Sequence, residues 1–182
     1  RLIAQGINPY LSTPQQWMQS GNFEVIEQSR QLVEGMQALN ASHFTNYPPV
    51  SQGVYALAGM LFPKSILGSV IVMRLVLIFV DIITFIFICK LLKRLALPTH
   101  QAFWYFLNPL VIIELTGNLH FEGLMLTFFG FGILLFLDNK KLFAVFPLAL
   151  SVGTKLITII IIPFFINHKK ISENLKMIIL IF

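Results

Sequence analysis

The sequence has little charge and almost no thiol. Charged residues fill 12% of its 182 positions, about half the share of an ordinary water-soluble domain, which excludes a chain that keeps a hydrated surface all round. Cys89 is the single cysteine, so a disulfide framework and a multi-thiolate metal site are ruled out. No Walker loop, no dinucleotide Gly motif and no nucleophile elbow occurs, which leaves soluble nucleotide or serine-hydrolase chemistry without support.

Apolar residues fill the space. They make up 56% of the chain, 18 of them Phe, and the mean hydropathy is +0.78. Such a chain would collapse in water, so disorder and low-complexity polymer are excluded too, and a membrane protein is implied. Thirteen basic and 8 acidic residues give a net charge of +5, but their placement argues against nucleic acid as a partner. Residues 1–52 hold Arg1 and Arg30 against Glu24, Glu27 and Glu34. The positive excess lies beyond them, at the ends of apolar runs, in Lys90, Lys93 and Arg94, in Lys140 and Lys141, and in Lys169 and Lys170, which is the pattern of topology signals.

The pattern predicts an all-α polytopic helical membrane protein. Residues 1–65 read as an extracytoplasmic loop region with short interfacial helices, and 66–182 as a bundle of about four spans plus the start of a fifth. In the polar part, Phe23, Ile26, Arg30, Val33 and Gln37 recur at helical spacing and suggest a short surface helix. Residues 50–62 would make a helix of about 20 Å, short of a ~30 Å hydrocarbon core. Residues 66–89, at roughly 36 Å, are long enough to cross it. Segments 100–116, with Thr99 as N-cap, 121–137 and 142–166 supply the others. The chain reads as a fragment, since it begins with Arg rather than Met and its last apolar run, from Lys176, stops short of a span.

Segments 100–116 and 121–137 are each about 25 Å as ideal helices, so their connection should dip below the headgroups and line a pocket. It carries Asn118 and His120 and is flanked by Glu114 and Glu122. These groups are costly there unless they have partners or a purpose. Two carboxylates beside an imidazole can move protons, bind a cation or hold a sugar hydroxyl; the plainer alternative is a loop that reaches water. Arg74 and Asp81, seven residues apart, share a helix face, either as a structural pair or with Arg74 on an anion. Lys155, deep in its segment, suits a phosphate oxyanion or a carboxylate counter-ion equally. Phe103, Trp104 and Tyr105 read as an interfacial aromatic belt. Five basic residues on one side (Lys90, Lys93, Arg94, Lys140, Lys141) against three on the other (Lys64, Lys169, Lys170) favour the larger set as cytoplasmic.

RLIAQGINPY at 1–10, YPPVSQ at 47–52 before a short apolar helix, Arg74 early in a span, and NPLVIIE at 108–114 followed by GNLHFEGLM at 117–125 resemble the C-type glycosyltransferase superfamily of integral membrane enzymes. The nearest group is bacterial, mannosyltransferase-like and polyprenyl-phosphate-sugar dependent, and the likeness extends through Lys155. It implies inverting transfer of a hexose, mannose first, from a polyprenyl-phosphate donor to a glycan or lipid acceptor on the extracytoplasmic face of a bacterial inner membrane. It further implies catalytic roles for Glu122 and His120, and substrate contacts for Arg74, Lys155, Glu114, Asn118, Tyr47 and Asn8. Glu122 stands where that group usually carries Asp, and the group's acidic pair, which supplies a catalytic carboxylate, is expected just upstream of Arg1. No motif demands a cofactor, although a divalent cation is compatible with the acidic groups. The competing reading is an ion- or proton-coupled secondary transporter, whose intramembrane charges would serve a relay.

Overall fold

The structure is a computed structural model, and it describes residues 2–21 and 26–165. Every regular element among them is helical. The chain divides into two compact units, Arg1–Tyr47 with Gln52–Met73, and Pro48–Ser51 with Arg74–Phe182.

The first unit is built from short helices with strong local signals. A 3₁₀ turn, Ile3–Gln5, ends at Gly6 with φ 73°, a left-handed cap that suits a residue without Cβ. Helix α1, Pro14–Gln19, starts at a capping box: Gln16 N–H donates to Thr13 Oγ1 at 3.2 Å and Thr13 N–H to Gln16 Oε1 at 2.9 Å. Helix α2, Ser29–Ala41, follows and kinks at Gln37, whose φ of 61° leaves the helical region. It realises the expected surface helix in part, because Ile26 precedes it and Phe23 lies outside the described residues. Helix α3, Pro49–Leu61, matches the expected short segment. Its end folds back on the start of helix α4, Ile66–Arg94, where a Cβ on Gly68 would stand 2.5 Å from the Phe62 ring; only glycine permits that approach. An open cavity of about 1160 Å³ lies within this unit, walled by Trp17, Met36, Phe44, Tyr47, Tyr55 and Met73 among others.

In the second unit α4 runs on from Arg74 without a Pro or Gly to break it. Ala96, at φ 56°, ends it, with Leu97 N–H reaching back to Leu92 O at 2.9 Å. The expected span 66–89 is therefore part of a 29-residue helix. Among the described residues α4 is the one helix long and apolar enough to cross a membrane by itself.

The expected helix over 100–116 is instead broken. A 3₁₀ turn, Thr99–Ala102, leads into α5, Phe103–Phe106. Asn108 then leaves the helix and caps α6, Pro109–Val111, which widens into a π-helix over Ile112–Gly117. The residue before a proline avoids the helical region, and proline fits at the first helical position; NP at 108–109 therefore restarts the helix. Thr99 lies inside the 3₁₀ turn, and Pro98 takes the N-cap position with no side-chain cap.

Helix α7, Glu122–Leu137, matches its expectation but is bent by 109° from Pro109–Gly117. Helix α8, Lys141–Thr154, packs along α7 and is shorter than a span. The expected continuous segment 142–166 breaks at Lys155, whose backbone is extended (φ −154°, ψ 126°), before a 3₁₀ stretch over Leu156–Phe165; residue 166 and the fifth apolar run lie outside the described residues.

Buried hydroxyls stitch the unit together. Thr84 and Thr127 oxygens approach to 2.5 Å, Thr127 Oγ1 also donates to Gly123 O at 2.9 Å, and Ser151 Oγ donates to Met125 O at 2.9 Å. Leu77, Leu124, Val145 and Leu148 are buried around them, whereas Leu75, Phe79, Phe143 and Phe146 are exposed.

Candidate functional site

The site grows from one face of α4. Arg74 and Asp81 share that face, as their spacing predicts, and both reach the end of the π-helix. Arg74 Nε donates to Thr116 O at 3.2 Å and Nη2 to Gly117 O at 3.1 Å. The last carbonyls of a helix lack intrahelical partners, and the guanidinium supplies two donors in a fixed fork. Asp81 completes the grip. Thr116 Oγ1 donates to Asp81 Oδ2 at 3.2 Å, and Tyr105 OH lies 3.4 Å from Oδ1. A Cβ on Gly123 would come within 3.1 Å of Asp81 Oδ1, so glycine lets α7 start hard against that carboxylate.

So anchored, the turn folds back on itself. Asn118 N–H donates to Ile113 O at 2.8 Å and His120 N–H to Leu115 O at 3.1 Å. Leu119 takes the left-handed conformation, φ 58°, which is strained for a branched residue and persists only where the surroundings fix it. The reversal brings His120 Nδ1 to 3.2 Å from Glu114 Oε2. Two residues later Glu122 opens α7, where the positive end of the helix dipole favours a carboxylate. Its partner is Lys155. That lysine is not deep inside a helix as expected; it sits at the break after α8 with half of its side chain exposed. Ser51 Oγ donates to Thr154 O at 3.0 Å, and Val50 packs on Gly153, so the segment after Pro48 and Pro49 braces the break that presents Lys155.

Glu114, His120, Glu122, Lys155, Arg74 and the exposed Asn118 thus fall on or beside one turn. Tyr47 and Asn8 belong to the first unit, joined there through Tyr10: Tyr10 N–H donates to Asn8 Oδ1 at 2.9 Å and Tyr10 OH to Tyr47 O at 2.6 Å. The Tyr47 ring meets Tyr55 edge-on at 5.4 Å.

Chemically, the Glu114–His120 dyad can hold the imidazole with Nδ1 toward the carboxylate, leaving Nε2 to exchange a proton. The Glu122–Lys155 pair holds a carboxylate beside a mobile cation. Among the described residues no three His, Cys, Asp or Glu side chains are grouped to hold a metal ion.

The family model described as alpha-(1->6)-mannopyranosyltransferase, N-terminal domain, matches residues 1–169. The chain belongs to this mannosyltransferase family. No curated protein and no solved structure matches the chain. The match agrees with the mannosyltransferase likeness seen in the motif order, and it extends across both units.

Within this mannosyltransferase domain, sequence reasoning missed Thr116, Tyr105, Tyr10 and Gly123. Thr116 lies between Glu114 and His120 and could have been suspected from that position alone. Tyr105 read as part of an interfacial belt, and nothing in the sequence links it to Asp81. The glycine after Glu122 was visible, but only the packing shows why it is needed.

Proposed function

We propose that this domain is part of an integral membrane mannosyltransferase that takes mannose from a polyprenyl-phosphate donor and passes it to a glycan or lipid acceptor on the extracytoplasmic face. The observation that carries the reading is the single anchored turn bearing two ion pairs. Glu122 is the proposed base. When the donor phosphate arrives, Lys155 exchanges its carboxylate partner for a phosphate oxygen, and Glu122 is left to accept the acceptor hydroxyl proton. The acceptor oxygen then bonds to the anomeric carbon as the carbon–oxygen bond to phosphate breaks, with inversion, and Lys155 stabilises the departing phosphate. His120, oriented by Glu114, and Asn118 hold sugar hydroxyls. Arg74 fixes the turn.

Support for the membrane setting comes from α4 and from charge. Arg74 and Arg94 stand twenty residues apart on that one helix, about 30 Å, which is the thickness of a hydrocarbon core. The site lies at the Arg74 level, and the basic set Lys90, Lys93, Arg94 at the other. The positive-inside rule then directs the site outward.

The test uses the full-length protein in lipid: transfer of radiolabelled mannose from a polyprenyl-phosphate donor, run beside sugar uptake into sealed vesicles. Glu122→Ala should lower transfer at least about a hundredfold, the usual contribution of a positioned acid or base, and His120→Ala, which removes a hydrogen bond to a sugar hydroxyl, about tenfold. Unchanged transfer in both variants would remove the turn from the mechanism, and uptake without transfer would make the protein a transporter.

A further inference from the structure

The basic end of the second unit has no part in the site. Arg94 reaches across from α4 to Asp138 and to Leu137 O, which fastens the end of α4 to the α7–α8 turn and cancels the single acidic residue found in 82–113 and 123–155. Four lysines are thereby gathered on one end, Lys90 and Lys93 from α4 and Lys140 and Lys141 from the turn. No carboxylate among the described residues pairs with any of them. Lys90, Lys93 and Lys140 are exposed, and Lys141 lies half-buried with Nζ 5.5 Å from the Phe136 ring centre.

Below this cap lies an apolar ring. Phe103 stacks obliquely on Phe85 at 5.0 Å, and Cys89 Sγ approaches Thr99 O at 3.9 Å. The 99–106 segment therefore flanks α4 one to three turns short of Arg94. Its neighbour Trp104 is 81% exposed. Leu142, Phe143 and Phe146, in the first turns of α8 next to Lys141, are exposed as well. Lysines standing over exposed aromatic and aliphatic side chains match the headgroup layer above acyl chains. A nucleic acid would meet the lysines but leave the ring bare.

We propose that this end is a docking surface for anionic phospholipids, with Lys90, Lys93, Lys140 and Lys141 on the headgroups and Trp104 at the boundary below. The proposal rests on the membrane setting argued above. It fixes which leaflet composition the protein prefers, and it assigns Arg94 and Asp138 the task of assembling the surface rather than binding lipid.

Trp104 makes the surface measurable. These 182 residues hold 2 Trp, so in the full-length protein Trp17→Phe, with any Trp outside them also changed to Phe, leaves Trp104 as the sole indole. This variant is reconstituted into phosphatidylcholine vesicles that contain either brominated phosphatidylglycerol or brominated phosphatidylcholine over the same range of low mole fractions, and Trp104 quenching is read. Juxtamembrane lysines favour an anionic surface, so even partial engagement of four should make the anionic lipid quench at about a tenfold lower mole fraction. The K90Q/K93Q/K140Q/K141Q variant should lose that preference and keep the quenching by phosphatidylcholine. Equal quenching by the two lipids in the unsubstituted chain overturns the proposal, as does a preference that survives the four substitutions. A preference abolished by duplex DNA at equal concentration assigns the surface to nucleic acid instead. Quenching by neither lipid places Trp104 outside the bilayer and overturns the membrane setting along with the proposal.

Discussion

Glu122→Gln and Lys155→Met, made singly and together, test whether the two groups act as one unit. The pair lies at the mouth of the site, where the Glu122 side chain keeps 34% and the Lys155 side chain 50% of its exposure. Two unit charges about 4 Å apart are worth ~1 kcal/mol in water and ~4 kcal/mol at an effective dielectric of about 20. Half-exposure moves the pair toward the first limit, and exposed pairs measured in double-mutant cycles give about 0.2–1 kcal/mol. The helix-dipole contribution at Glu122 survives loss of Lys155 and does not enter the coupling. We expect a coupling of about 1 kcal/mol in the unfolding free energy measured in mixed micelles. It should shrink in about 1 M salt, where the Debye length falls to ~3 Å. In transfer assays each single variant should be strongly impaired, with the double variant no worse than the poorer single one. Stability effects that add to within about 0.3 kcal/mol, together with activity losses that multiply, would refute the exchange of Lys155 between carboxylate and phosphate.

Arg74→Lys keeps the charge but loses the fork on Thr116 O and Gly117 O. One lost hydrogen bond of about 1 kcal/mol should raise amide exchange at Asn118 and His120 about fivefold while the middle of α7 stays protected, as hydrogen-exchange mass spectrometry would show. Gly132→Ala would place a Cβ 2.7 Å from Leu148 Cγ, inside the α7–α8 contact. Overpacking of this kind costs about 1–3 kcal/mol and should lower the thermal midpoint in detergent, whereas an unchanged midpoint would mean that the two helices lie further apart.

The elements that could be read in advance are those whose signals are local. The apolar run from 66 onward makes a long helix whatever surrounds it, and the GNLHFEG stretch marks a turn between helices. Breaks inside apolar segments were harder. Composition cannot separate a 25-residue span from a 14-residue helix that ends at Lys155, because the apolar residues continue on both sides of the break. Asn108 and Pro109 gave a visible warning that 100–116 would not be continuous, and the π-helix behind them adds backbone geometry that hydropathy does not register.

For the site, the sequence supplied which charges were worth following: with so few of them, Arg74, Asp81, Glu114, Glu122 and Lys155 stood out within or beside apolar runs. Their partners were a different matter. Arg74 could have met an anion or the protein, and Lys155 a phosphate or a carboxylate, with nothing in the residue types to choose between them. Tertiary structure supplied the protein partner of each: the end of the π-helix sets the carbonyls of Thr116 and Gly117 before the guanidinium, and the break after α8 aims Lys155 at Glu122. Hydrophobicity and helical period act along the chain and so are written in the sequence. Which donor meets which acceptor is fixed by contacts between residues 33 to 43 apart, and those exist only once the helices have packed.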